Sequence, residues 1–185
     1  FGGIGNNPNL VRGMAFNPAT NHVLVPTRAG NRIIVVDADN GDSLGVMNME
    51  GASGGTFALN KVEATESGAV YAANLTVDGN NFKIYRWADE TAAPENIFTS
   101  TASDNIGIRL GDAFGVVEGE GSAVTIFAGG GSGQSALAKF SYDGSSTTYD
   151  GNISVPSSAG RGGLSAGAAG ELWISGTGTG LQAIS

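Results

Sequence analysis

The stretch "AFNPATNHVLV", residues 15–25, sets a pattern that occurs four times in the chain. An apolar segment is followed by a polar or glycine-bearing bend and then by a second apolar segment. The second segments are "HVLVPTR" from His22, "AVYAANL" from Ala69, "AVTIFAG" from Ala123 and "ELWISGT" from Glu171. Eight residues before the anchors Val23, Val70, Val124 and Leu172 stand Ala15, Val62, Val116 and Leu164. Two apolar strands around a turn, at a constant offset, predict a β-hairpin.

Further apolar segments follow the hairpins, and the anchors recur at spacings of 47, 54 and 48 residues. Four antiparallel strands repeated about every 50 residues are typical of a β-propeller blade. The sequence therefore predicts an all-β, β-propeller-like fold with about three and a half four-stranded blades. The predicted single domain, residues 1–185, has blades at roughly 11–50, 56–100, 110–156 and 161–185. A β-sandwich of the same strands is the alternative.

Closed propellers usually have about four to eight complete blades. Three and a half blades leave an unpaired strand edge, and such edges pair with other chains. We therefore expect further blades, or a second copy of the chain, to close the ring.

Composition limits the partners of the protein. The net charge is −8, which disfavours nucleic acid and anionic membrane surfaces. Charged residues make up only 14% of the chain, which suits an extracellular protein. The chain has no cysteine, which excludes disulfides, thiolate zinc sites and a cysteine nucleophile.

Three aspartates in "VVDADNGD", residues 35–42, resemble the start of a calcium loop. Gly41 stands one position too early for an EF-hand loop measured from Asp37, and position 12 is Asn48 instead of glutamate. We align Asp39 with Asp89 and Asp143, each just past a third strand, and expect their carboxylates to accept backbone N–H bonds in turns. Weak calcium binding at Asp37 and Asp42 remains the alternative, and no metal site is predicted.

No catalytic set is evident in the sequence. His22 is the only histidine, and no "GxSxG" motif supplies a nucleophile for it. Hairpin turns are flanked by four carboxylates, at Glu63, Glu66, Glu118 and Glu120, which we interpret as solvated rim residues. A glycosidase, which uses a pair of carboxyl groups, is the alternative. The "GGGSGQS" stretch at 129–135 lacks the lysine and helix of a phosphate loop. We therefore predict no catalytic residue and no cofactor.

Three arginines carry the candidate ligand-binding site. Arg12, Arg109 and Arg161 each precede the first strand of a blade, which lines the central channel of a propeller. Guanidinium groups gathered near the axis could clamp a carboxylate or sugar acid. Salt bridges to neighbouring blades are the structural alternative, with Asp112 as a local partner.

Tyr85 and Trp87 lie on one face of a third strand, since alternate residues share a face. We expect both rings to be buried between blades, because large rings are mostly buried. Exposure for sugar stacking is the alternative.

The segments "VRGMAFNPATNHVLV", "IIVVDADNGDSLGVMNMEGASGGTFALNKV" and "AVYAANLT…FKIYRWADE" resemble an uncharacterised family. It consists of domain-of-unknown-function proteins found in secreted or cell-surface bacterial chains with propeller-like repeats. "FNPATNHVLV…IIVVDADNG" is also similar to the propeller repeats of surface-layer and quinoprotein-like proteins. The resemblance implies a propeller and an extracellular location, and it carries over no catalytic residue.

The sequence favours a non-catalytic extracellular module, built from propeller blades, that binds a ligand such as a glycan or assembles with copies of itself. The alternative is a hydrolase or lyase that acts on a glycan or lactone in the central channel.

Overall fold

The computed structural model describes residues 9–156, 162–167, 171–176 and 179–184. The described residues form four small antiparallel sheets arranged as the blades of a β-propeller, which confirms the predicted fold class and excludes the sandwich. Three sheets have four strands each, and the fourth has three described strands. Within the described residues, no helix has the length and hydropathy needed to span a membrane.

The strands follow the chain in order within every sheet. The first sheet contains β1 (Ala15–Asn17), β2 (His22–Thr27), β3 (Arg32–Asp37) and β4 (Ser43–Val46). The second contains β5 (Phe57–Ala64), β6 (Val70–Leu75), β7 (Lys83–Trp87) and β8 (Glu95–Thr99). A 3₁₀ turn at Ala102–Asp104 leads to the third, with β9 (Leu110–Glu118), β10 (Val124–Gly130), β11 (Ala136–Tyr142) and β12 (Thr147–Ser154). The fourth contains β13 (Leu164–Ala166), β14 (Leu172–Gly176) and β15 (Thr179–Ile184).

The hairpin pattern of the sequence sets the register of the two inner strands. Val62 pairs with Ala72, Val116 with Ile126 and Leu164 with Ile174, so each apolar position lies opposite the second residue after its anchor. In the first sheet Ala15 pairs with Leu24, one residue after its anchor. The loop of the first hairpin is therefore one residue shorter than the loops of the other three.

Apolar side chains between consecutive sheets form the core. One cluster joins the first and second sheets and includes Leu24, Leu59 and Trp87. A second cluster joins the second and third sheets, and a third cluster joins the third and fourth. The inner strands β1, β5, β9 and β13 contact one another in succession. Face-to-face stacking of small sheets therefore replaces a single central core.

Tyr85 and Trp87 lie in the core between the first and second sheets, as predicted, with 1% and 0% of their surfaces exposed. The Tyr85 hydroxyl donates a hydrogen bond to the carbonyl of Ser53, and the Trp87 indole donates to the carbonyl of Asn48. Both polar groups are satisfied at the edge of an apolar interface, which is how buried rings of this type are usually accommodated.

Aspartates cap the turns after the third strands, but the first of them is not the predicted residue. Asp89 Oδ1 accepts the backbone N–H groups of Thr91 and Ala92, and Asp143 Oδ1 does the same for Ser145 and Ser146. In the first sheet the accepting residue is Asp37. The alignment through Asp39 was wrong. Strand pairing places Val36, Trp87 and Tyr142 opposite the three anchors. Asp37, the residue after Val36, is therefore in register with Asp143, the residue after Tyr142.

The outward face of the first sheet is apolar. Strand pairing places Phe16, Val23, Val25, Ile34, Val36 and Val46 on the face away from the second sheet. Phe16 and Val46 are 52% and 55% exposed, whereas Val25, Ile34 and Val36 are buried. We call these six residues the outward apolar face.

Candidate functional site

The inner strands begin at the same end of the propeller, and basic residues gather there. Arg12 precedes β1, Lys61 lies in β5 and Arg109 directly precedes β9. Arg28 follows β2, and a β-bridge between Val11 and Thr27 holds it close to Arg12. We call Arg12, Arg28, Lys61 and Arg109 the basic cluster; they are four of the nine Lys and Arg residues of an acidic chain.

Hydrogen bonds fix three of these cations in place. Arg28 donates from Nε and Nη2 to Asn60 Oδ1, at 2.8 and 2.5 Å. Arg109 Nε donates to Asp112 Oδ2 at 2.7 Å. Lys61 Nζ donates to the backbone carbonyl of Arg12. The Asp112 side chain is buried and forms an ion pair with Arg109, so among the described residues the cations of the cluster outnumber the carboxylate paired with them.

Buried polar side chains accept the hydrogen bonds of Arg28 and Arg109. Asn60 is 1% exposed, and its Nδ2 donates to the carbonyl of Gly111 at 2.6 Å. Asn60 Nδ2 also lies 3.4 Å from Asp112 Oδ1. Asn60 thus links the two arginine-binding groups across β5 and β9.

Gly111 permits the close approach of β9 to β6 that this arrangement requires. Its φ is +99°, and an added Cβ would lie 2.1 Å from the carbonyl oxygen of Asn74. Only glycine fits such a conformation and contact.

Burial and the charge of Arg12 both act on the pKa values of Arg28 and Lys61. Burial is the main cause that lowers the pKa of Arg28, and the charge of Arg12 lowers it further. Burial also lowers the pKa of Lys61, again with the Arg12 charge as the next cause. Asp112 opposes both shifts without cancelling them. A site with unbalanced, partly desolvated positive charge favours the binding of an anion.

A recess of about 160 Å³ adjoins the basic cluster along the inner strands. Described residues of the second, third and fourth sheets and of the segments before β1 and β13 line it: Gly13, Met14, Lys61, Val62, Glu63, Phe114, Gly162, Gly163 and Leu164. Glu63 is partly buried in this recess, and desolvation raises its pKa to about 8 although the Lys61 charge opposes the shift. At neutral pH the Glu63 carboxyl group is therefore largely protonated.

The interpretation of Glu63 as a solvated rim residue was wrong. It lies inside β5, and alternation from Lys61 turns its side chain into the recess. Glu66 and Glu118 do lie near turns, where they line a separate hollow of about 390 Å³ with Thr65 and Gly167. The four glutamates thus belong to different environments.

His22 joins the first and second sheets. Its Nδ1 lies 2.7 Å from Glu90 Oε2, while Glu90 Oε1 accepts hydrogen bonds from Asn17 Nδ2 and Thr20 Oγ1. The Thr20 hydroxyl bonds the carboxylate instead of the imidazole, so these groups do not have the order of a Ser-His-Asp triad.

The structure brings together two of the three arginines predicted from the sequence, Arg12 and Arg109. Arg161 lies outside the described residues. Sequence reasoning missed Arg28, Lys61 and Asn60. A usable signal was the presence of three polar residues in "NKVE", residues 60–63, within an inner strand.

The side chains of Asp37 and Asn40 in the calcium-like turn accept local backbone hydrogen bonds. The backbone N–H of Asp39 donates to Asp37 Oδ1, and that of Asp42 donates to Asn40 Oδ1. Over the described ranges, no group of three or more His, Asp or Glu residues is placed to hold a metal ion.

Comparison with known proteins supports the fold. The sequence profile of a family described as "Domain of unknown function (DUF4623)" matches residues 6–161. No curated protein matches the chain.

Three solved structures are similar. A DUF4623 family protein from Bacteroides eggerthii has a TM-score of 0.77 at 23% identity, over 95% of this chain and 43% of that one. A protein of unknown function from Bacteroides thetaiotaomicron has a TM-score of 0.55 at 16% identity, over 96% and 41%. A gluconolactonase from Xanthomonas campestris has a TM-score of 0.55 at 14% identity, over 95% and 72%. The chain spans less than half the length of the two Bacteroides proteins, and identities this low show the fold alone.

Proposed function

Since the chain belongs to the DUF4623 family, a domain of unknown function, we propose its function from its geometry: it is a non-catalytic binding module. The basic cluster binds a small anion, and a carboxylate such as that of a sugar acid fits it best. The observation that supports this proposal is the collection of four cations near the buried carboxylate of Asp112.

A carboxylate suits the cluster for geometric reasons. Guanidinium groups bind carboxylates through N–H donors, and the positive charges of Arg12, Arg28 and Arg109 lie near one another here. The Arg28 guanidinium is also held in place by the Phe57 ring, 3.8 Å below its Cζ. An immobilised cation loses little conformational freedom when it binds a ligand, which favours affinity.

Calorimetric titration with D-galacturonate tests this proposal. We expect binding by the wild type and a loss of about tenfold or more in Arg28→Gln, because one charge-assisted hydrogen bond contributes roughly 1.5–3 kcal/mol. Lys139→Gln is the matched control, since it removes one positive charge from the cleft between the third and fourth sheets. Equal affinities for the two variants would refute the role of the cluster, as would no binding of galacturonate to the wild type.

The catalytic alternative is a hydrolase or lyase that acts on a glycan or lactone. Glu63 could supply a proton in the recess, whereas Asp112 is engaged with Arg109 and Asn60. Glycoside hydrolysis ordinarily uses two carboxyl groups, and Glu63 is the one carboxyl among the described lining residues. Turnover of a lactone or glycan by the wild type, abolished in Glu63→Gln, would replace the binding proposal with this one.

We also propose that the exposed part of the outward apolar face, at Phe16 and Val46, packs against a second copy of the chain. Three sheet pairs already bury apolar faces of the same kind, and this face continues their pattern. Light scattering after size exclusion should show concentration-dependent association that Val46→Lys abolishes. Val77→Lys is the control, because Val77 is 62% exposed and lies outside this face. A wild type that stays monomeric at high concentration would contradict this proposal.

An extracellular or cell-surface location is proposed from the low share of charged residues, 14%. Labelling of intact cells with a reagent that does not cross membranes tests it, and labelling only after lysis would contradict it.

A further inference from the structure

We propose that Glu63 donates a hydrogen bond to a hydroxyl group of the bound ligand, so that the site selects polyhydroxy carboxylic acids over plain carboxylic acids. This inference rests on the proposed function, since it takes the anion-binding role of the basic cluster as given. It adds a contact between the protein and the hydroxyl groups of the ligand, beyond the carboxylate.

The positions of the groups define the ligand's orientation. Lys61 belongs both to the basic cluster and to the lining of the recess, where Glu63 lies two residues further along β5. A carboxylate held by the cluster therefore directs the rest of its molecule into the recess, towards Glu63. The recess volume of about 160 Å³ equals roughly five water molecules, which suits a small organic acid.

The protonation state of Glu63 makes it compatible with an anionic ligand. An ionised carboxylate at this place would repel the ligand, but burial raises the Glu63 pKa to about 8. A protonated carboxyl group offers one O–H donor and a carbonyl acceptor, which together match a hydroxyl group. Lys61 is the other charged residue among the described lining residues, and its charge partly opposes the raised pKa.

The remaining lining suits the carbon skeleton of such a ligand. Met14, Phe114 and Leu164 contribute apolar surface, and glycines at three positions leave room beside it. Binding sites for small molecules commonly combine apolar walls with a few placed polar groups. Here Lys61 and Glu63 supply the charged and polar side chains.

Titration at pH 7 with two ligands of similar ring size separates the contribution of the ligand hydroxyl groups to affinity from that of the carboxylate. D-galacturonate carries ring hydroxyls, whereas cyclohexanecarboxylate does not. We expect the wild type to prefer galacturonate by about tenfold, the effect of one good hydrogen bond. Glu63→Gln keeps an N–H donor and an acceptor and should retain most of the preference, whereas Glu63→Leu should reduce it to below about threefold.

The outcomes distinguish this inference from the proposed function. If the wild type binds both acids equally, the role of Glu63 is refuted and the anion site stands. A preference that persists in Glu63→Leu also refutes it. If neither acid binds, the proposed function fails as well.

A pH comparison decides the matter even if Glu63→Leu does not fold. Raising the pH from 7 to 9 ionises Glu63 in the wild type but leaves the amide of Glu63→Gln unchanged. The galacturonate affinity of the wild type should then fall at least threefold more than that of Glu63→Gln, even though the ionised Glu63 raises the pKa of Lys61 and so helps to keep that cation charged. Equal losses in the two proteins would overturn the inference.

Discussion

Replacing Glu63 by glutamine should stabilise the protein in a pH-dependent manner. The unfolded chain releases the Glu63 proton near its ordinary pKa of 4.5, whereas the folded chain keeps it until about pH 8. Between these values the unfolded state binds fewer protons than the folded state, so the free energy of unfolding falls as pH rises. Below pH 4.5 the group carries a proton in both states and the effect is absent.

The magnitude follows from the size of the shift. A pKa that moves from 4.5 to about 8 corresponds to at most about 5 kcal/mol at 1.36 kcal/mol per unit. Glu63 is only partly buried, so solvent screens part of this cost and we expect roughly 2–4 kcal/mol. Glutamine has nearly the same shape and no charge, and it should recover most of this loss at pH 8.

Urea unfolding of the wild type and Glu63→Gln at pH 4.5 and pH 8.5 measures this effect. The stability difference between the two proteins should be small at the lower pH and should grow by about 2 kcal/mol or more at the higher pH. Glu120→Gln is a control at an exposed turn and should show no such growth. A difference that is the same at both pH values would refute the assignment of a buried, protonated Glu63.

Two further changes test how the sheets are held together. Gly111→Ala should lower the free energy of unfolding by roughly 2 kcal/mol more than Gly121→Ala in urea unfolding. Both place alanine at positive φ, but only the added Cβ at Gly111 meets the Asn74 carbonyl. Equal losses would show that β9 does not approach β6 so closely. Glu90→Ala should cost about 1–3 kcal/mol, since it leaves the buried amide of Asn17 without this acceptor. A loss below about 0.5 kcal/mol would contradict the bond between these sheets.

The sequence predicted those parts of the fold that depend on local pattern. The hairpin around "NPATN" combines two apolar segments with a turn, so its recurrence near Val62, Val116 and Leu164 was enough to predict the sheets. The register of the third strand was harder to predict, because aspartates stand at both Asp37 and Asp39 and either could cap a turn. Backbone pairing to β2 decides between them.

The candidate site depended on contacts that span the chain, and the sequence predicted it only in part. Arg12 and Arg109 could be placed near the axis because each precedes an inner strand. Arg28 follows a second strand, and its inclusion depends on the bridge between Val11 and Thr27, which no local pattern indicates. The raised pKa of Glu63 depends likewise on the walls that other sheets build around it.

The titration of Lys61 tests the basic cluster most directly. The chain has three lysines, Lys61, Lys83 and Lys139, so ¹³C NMR of their Cε atoms can follow each one separately. We predict that the pKa of Lys61 lies below its ordinary value of 10.5 in the free protein and rises when galacturonate binds, because an anion offsets the charge of Arg12. Lys139, outside the cluster, should not respond to the ligand. An ordinary Lys61 pKa that galacturonate leaves unchanged would contradict the account.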